Sequence, residues 1–200
     1  MKNFFKSLLA ISFFIALFFV TPVFLQAAPN SPPIVGGALP DFNLSIPKDP
    51  ISKDYLGLTG EGSFKISQIK APVVVIEIFS LYCPYCQREA KLVNQLYQAI
   101  ENSPELKGKI KLMGIGAGNS SFEADVFKKR YEVPFPLFSD VNFIVHKCFG
   151  EVRTPYFTAI KINDDGTHKV LYSELGSIKE VEKFLKLIVE LSGLKSGVGK

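Results

Sequence analysis

The longest uninterrupted apolar stretch outside the N-terminus is Ala71 to Phe79, a β-branched run with a single acid, Glu77, inside it. Such a run predicts a strand covered on both faces of a sheet. It stops at Ser80. From Gln87 to Glu101 apolar residues recur at Ala90, Val93, Leu96, Tyr97 and Ile100, which is a helical period. Lys109 to Ile115 reads as a second buried strand fading into a loop at Gly116 and Gly118. Ser121 to Tyr131 reads as an amphipathic helix with Phe122, Val126 and Phe127 on one side and Lys128, Lys129 and Arg130 on the other. Two prolines make Val133 to Phe138 extended rather than helical, and Asn142 to Phe149 is expected as a short helix. Pro155 to Ile162 and Lys169 to Leu175 form two strands joined by Asn163-Asp164-Asp165-Gly166, a hairpin signal. Ser177 with Glu180 reads as a capping box opening a last helix, whose buried face is Val181, Phe184, Leu185, Ile188 and Val189. The order β-α-β-α-β-β-α, with a helical insertion around Ser121–Gly150, predicts an α/β domain with a mixed central sheet flanked by helices.

The ends of the chain are patterned differently. Lys2 and Lys6 precede an apolar run from Leu8 to Val20, Thr21 and Pro22 end it, and Leu25-Gln26-Ala27-Ala28 supplies small residues. That layout predicts a secretory signal peptide over 1–27, with cleavage after Ala27. The alternative is a retained membrane anchor, for which Leu8 to Leu25 is long enough in a thin bilayer. A Pro- and Gly-rich flexible linker is expected over 28–38, the folded domain with its N-terminal extension over 39–194, and a tail over 195–200. Asp41 to Leu44 forms a small unit of its own, followed by a polar loop through Gly57–Gly62.

Charge narrows the function. The net charge of the full chain is +4, and removing Lys2 and Lys6 leaves +2. Basic patches such as Lys107–Lys111 and Lys128–Arg130 have acids beside them, so they read as solvated surface and not as a nucleic-acid footprint.

Cys83-Pro84-Tyr85-Cys86 lies between the buried strand and the helix that follows. A cysteine in the first turn of a helix faces unpaired N–H groups and the positive end of the dipole, which favours thiolate. Cys86 lies about one turn deeper, so Cys83 is expected to attack and Cys86 to resolve, with a redox-active Cys83–Cys86 disulfide as the oxidised form. A structural zinc site needs four ligands. Only Cys148, His146 and His168 remain to supply them, and there is no second Cys-x-x-Cys. A bridge closing so short a loop also gains little as a staple. Redox chemistry without metal or cofactor is therefore preferred.

Glu77 to Cys86 resembles the active-site segment of the thioredoxin superfamily. Leu39-Pro40-Asp41-Phe42-Asn43-Leu44 and the insertion are similar to its exported TlpA/ResA-like branch, which overlaps the redoxin group. The resemblance spans roughly Leu39 to Gly193. It implies a thioredoxin fold and a cis-proline opposite the cysteines, for which Pro155 is the candidate. Thr154 would pair with a substrate peptide through its backbone, and Tyr82, Pro84 and Tyr85 would form the groove surface. Glu77 matches the buried acid of thioredoxins and Glu89 a glutamate of the ResA-like branch, each suited to take the Cys86 proton.

The implied function is thiol–disulfide exchange with exported proteins. The implied role is that of a reductant, of apocytochromes c for example, fed by a membrane thiol donor and located in the periplasm or tethered facing it. Tyr82 departs from the usual tryptophan, and Cys148 lies outside the pattern, where it reads as a small buried hydrophobe. A peroxiredoxin is the nearest enzymatic alternative; Ser80 could serve as its hydroxyl, but Ile76 stands where it would carry proline. A non-enzymatic carrier of metal or other cargo is the remaining alternative.

Overall fold

A computed structural model describes residues 31–194; the expected signal peptide and C-terminal tail lie outside them. The described residues form the strands β1 (Leu44–Ser45), β2 (Ser63–Phe64), β3 (Val73–Phe79), β4 (Ile110–Ala117), β5 (Leu137–Asp140), β6 (Tyr156–Ile162) and β7 (His168–Leu175). The α-helices among them are α1 (Pro50–Leu56), α2 (Pro84–Glu101), α3 (Ser121–Arg130), α4 (Ile144–Cys148) and α5 (Val181–Ser192). The main sheet runs β5-β4-β3-β6-β7. Its β3, β4 and β5 are parallel, and β6 and β7 are antiparallel to their neighbours.

Every residue of β3 is buried, as its apolar run requires of a central strand. Its side chains alternate between two cores. Val74, Ile76 and Ile78 meet the β1–β2 ribbon, α1 and Val145 of α4. Val73, Val75 and Phe79 meet α2, α5 and Phe127 of α3. The buried stripe of α2 is Ala90, Val93, Leu96 and Ile100, in the register that the periodicity predicts.

The structure departs from expectation in several places, each with a packing reason. β4 continues past Ile115 through Gly116 to Ala117, and glycine is what fits at both Gly114 and Gly116. A Cβ on Gly114 would lie 2.5 Å from Leu137 Cδ2, and one on Gly116 would lie 3.0 Å from the Asn119 side chain. The insertion is not purely helical, since part of its extended piece becomes β5 and adds to the sheet edge parallel to β4. Phe122 is 75% exposed rather than buried. It lies five residues from Phe127, off the stripe that Ala124 and Phe127 bury.

Helix α1 replaces part of the expected loop. Asp49 caps it by accepting from Ser52 N–H at 2.7 Å, Pro50 starts it and Gly57 ends it at φ 65°. Seven residues are too few to show a period. Ser177 does not cap α5; the helix begins at Val181, and Glu180 at its N-cap makes no side-chain capping bond. Ile178 is buried in the core, and that holds residues 177–180 away from helical geometry.

Part of the segment expected as linker is fixed instead, with Gly36 and Gly37 pairing with β7. Gly36 N–H donates to Val170 O and Val170 N–H to Gly37 O, both at 2.8 Å. Among the described residues no helix is long and apolar enough to cross a membrane.

Gly150 has φ +75°, and a Cβ there would come within 2.3 Å of the Ser31 backbone. Left-handed backbone costs an L-residue roughly 1–2 kcal/mol before any clash. Gly150→Ala is therefore expected to lower unfolding free energy by about 2–3 kcal/mol in urea titration. An unchanged midpoint would show that the lead-in segment is not held there.

Candidate active site

Helix α2 begins immediately beyond the mouth of β3, and Cys83 is its N-cap, with φ −87° and ψ 110°. The Cys83 sulfur accepts the Cys86 backbone N–H at 3.3 Å, one of the donors that a helix start leaves free. Pro84 takes the first helical position, where a missing N–H costs nothing. Both cysteines are in the dithiol form. Cys83 is partly exposed, whereas Cys86 is wholly buried.

The two thiols differ in acidity as well as in access. Burial works against ionising Cys83. The Cys86 thiol, the Thr154 side chain and the backbone N–H groups of Cys86 and Tyr85 outweigh it, so the Cys83 pKa falls below the usual thiol value. Cys86 goes the other way, pushed well up by burial first, then by its hydrogen bond with Cys83 and by the charge of Glu77.

Opposite Cys83 the Thr154–Pro155 peptide bond is cis, as expected for Pro155. The Cys83 thiol donates to Thr154 O at 3.3 Å. Beside this contact opens a groove of about 440 Å³ lined by Tyr82, Gly118, Phe143, Val152, Arg153 and Thr154, among others. Tyr82 is exposed on its rim, and Tyr85, on the first turn of α2, is exposed as well. The Tyr82 hydroxyl bonds the Glu123 carboxylate, and the Arg88 guanidinium stacks over the Tyr85 ring at 4.6 Å.

Glu77 and Glu89 are both buried, so Glu89 is not a solvated helix residue. Burial, the neighbouring Glu89 and Cys83 push the Glu77 pKa up to about 8, and its Oε1 finds no hydrogen-bond partner. Glu89 is also raised by burial, partly offset by bonds from Ser177 and Ile178. The Ile178 N–H donates to Glu89 Oε1. Glu89 thus ties α2 to the segment before α5, while Glu77 retains a free oxygen and acts electrostatically on Cys86.

His146 lines the groove but does not reach the thiols, while His168 and Cys148 lie outside it. His146 Nε2 bonds Val152 O at 2.7 Å, His168 Nε2 bonds Leu39 O at 3.2 Å, and the half-buried Cys148 thiol donates to Ile144 O. Among the described residues no three His, Cys, Asp or Glu side chains gather as around a metal ion. No sequence signal marks Asn119 and Gln87, which grip the loop between β3 and Cys83. Their partners, Ser80 and Leu81, become neighbours of Asn119 only through folding.

The sequence profile of the AhpC/TSA family matches residues 35–170. The chain is 27% identical over 133 residues to the thiol-disulfide oxidoreductase ResA of Halalkalibacterium halodurans, covering 66% of this chain and 70% of that protein. It is 25% identical over 127 residues to ResA of Bacillus thuringiensis, covering 62% and 68%. Solved structures share its fold. The thioredoxin domain of a thiol-disulfide oxidoreductase from Bacteroides vulgatus superposes with TM-score 0.56 at 11% identity, covering 78% of this chain and 98% of that one. A secreted Mycobacterium tuberculosis disulfide oxidoreductase homologous to E. coli DsbE gives 0.50 at 15% identity, covering 65% and 90%. The mixed sheet with its flanking helices is a thioredoxin fold.

Two expectations follow. Iodoacetamide at neutral pH should modify Cys83 selectively, with a pH midpoint below the ordinary thiol value of about 8.5, and mass spectrometry should find Cys86 unmodified until the chain unfolds. Folded Glu77 keeps its proton up to about pH 8, while the unfolded chain releases it near 4.3. Between those values the unfolded state binds fewer protons, so Glu77 makes stability fall as pH rises. Glu77→Gln should flatten that fall, gaining most over the parent above pH 8 in urea titrations; parallel pH curves would count against it.

Proposed function

The chain belongs to the AhpC/TSA family and is a thiol–disulfide oxidoreductase, and we propose that Cys83 and Cys86 carry its reaction with exported proteins as substrates. The observation that carries this reading is the inequality of two thiols one helical turn apart. Cys83 is accessible and acidified at a helix start, and Cys86 is buried and kept protonated.

The reductive half-reaction follows from that inequality. The Cys83 thiolate attacks one sulfur of a substrate disulfide. A Cys83–substrate disulfide forms, and the other substrate sulfur leaves as thiolate and takes up a proton. Cys86 then loses its proton and attacks Cys83 Sγ, which releases the second substrate thiol and leaves the Cys83–Cys86 disulfide. Two electrons have passed to the substrate.

Glu77, with a free oxygen and a pKa of about 8, exists in both protonation states near neutral pH and is suited to take the Cys86 proton. Glu89 supports the step from its clasp on Ile178. Thr154 and cis-Pro155 face Cys83 where a substrate strand would pair, and Tyr82, Pro84 and Tyr85 would form its contact surface. No cofactor enters these steps. Its resemblance to the exported TlpA/ResA-like branch supports a reductant working outside the cytoplasm, with apocytochromes c as a fitting substrate class. A membrane thiol donor would restore the dithiol, and the N-terminal apolar segment would direct export or serve as the anchor.

Incubated with a disulfide-bonded protein substrate, Cys86→Ser should accumulate a mixed disulfide through Cys83, and Cys83→Ser should form none and lose turnover by more than a hundredfold. Mixed-disulfide formation through Cys86 or Cys148, or full turnover by Cys83→Ser, would defeat the assignment. Hydrogen peroxide consumed as fast as disulfides are reduced would favour a peroxidase instead.

A further inference from the structure

The loop that presents Cys83 is held by an interaction that lies outside the dithiol. Asn119 sits between β4 and α3 and is completely buried. Its Oδ1 accepts Leu81 N–H at 2.8 Å, and its Nδ2 donates to Ser80 Oγ at 3.4 Å. The Asn119 backbone is itself fixed, donating to Gly116 O at 3.0 Å and accepting from Asp140 N–H at 3.1 Å. Gly116 leaves room for the side chain, since a Cβ there would lie 3.0 Å from Asn119 Cβ and Oδ1. From the opposite side, Gln87 Nε2 donates to Leu81 O at 2.7 Å. The peptide units on both sides of Leu81 are thus gripped, one by the β4–α3 loop and one by α2.

Cys83 N–H donates to Ser80 O at 3.0 Å, so residues 80–83 form a closed turn. Any rotation of the Leu81 peptide is passed on to the backbone of Tyr82 and Cys83. The Cys83 sulfur has little room for such a change, because it must reach Cys86 N–H and Thr154 O, each at 3.3 Å. We infer that Asn119, seconded by Gln87, is a positioning residue that aims the Cys83 sulfur at the α2 N-terminus and at Thr154. The inference rests on the reading of Cys83 as the attacking thiol. A merely structural role for Asn119 would show as lost stability alone. A positioning role shows in the ionisation of another residue, because helix-start donors stabilise the thiolate only while the sulfur points at them.

The test compares the full chain with Asn119→Ala and Gln87→Ala, reading by mass spectrometry the pH dependence of Cys83 alkylation by iodoacetamide, with urea unfolding in parallel. Both variants are expected to move the midpoint upward and to slow alkylation at pH 7 by about three- to tenfold, a shift of up to one pH unit. Gln87 is only half-buried, so Gln87→Ala keeps the test open if Asn119→Ala does not fold. A low midpoint in the parent that stays unchanged in the folded variants would overturn the positioning role and leave the redox assignment standing. An ordinary thiol midpoint in the parent would overturn the redox assignment and this inference with it.

Discussion

The site depends on where helix α2 begins. A helix start leaves backbone N–H groups without partners, and here one of them points at a sulfur atom instead of at water or a capping oxygen. The position of that start is fixed by the sheet. Because β3 is buried along its whole length and ends at Phe79, three residues of loop must bring the chain out of the core and into the helix. Cys83 therefore meets solvent, and Cys86, one turn later on the same helix, meets the packed side of β3. The unequal acidity of the two thiols follows first from this geometry, with the Glu77 carboxyl adding to the effect of burial on Cys86.

Around that constraint the fold places groups that are costly elsewhere. Two buried carboxyls lie below the thiols on the face covered by α2 and α5, and burial keeps both above the ordinary carboxylate range. They resolve the cost differently. Glu89 finds backbone and hydroxyl donors in the segment before α5, whereas Glu77 keeps an unpartnered oxygen. An acid left in that condition is a weak contributor to stability, which fits a proton carrier better than a structural tie.

Much of this was legible in the sequence because it is written locally. The run Val73–Phe79, the helical stripe from Ala90 to Ile100 and the position of the Cys83 pair follow from periodicity and adjacency, and Thr154–Pro155 could be assigned by resemblance. What escaped was long-range or too short to carry a pattern. Asn119 lies 38 residues from Leu81, and nothing near it in the sequence marks it as a partner of the dithiol loop. Glu89 finds Ile178 across 89 residues, and burial of Ile178 overrode the capping pattern at Ser177. Helix α1 has only Ser52 and Leu56 on its buried side, which is no stripe at all, though Asp49, Pro50 and Gly57 did bound it.

The most direct test of the account is the redox equilibrium of the Cys83–Cys86 pair against glutathione buffers, followed by mass spectrometry of the trapped thiols. A reversible two-electron couple confined to these two cysteines is expected, with a reducing potential near that of thioredoxin, about −270 mV. Failure to find a reversible couple between them would contradict the claim that their unequal settings exist for disulfide exchange.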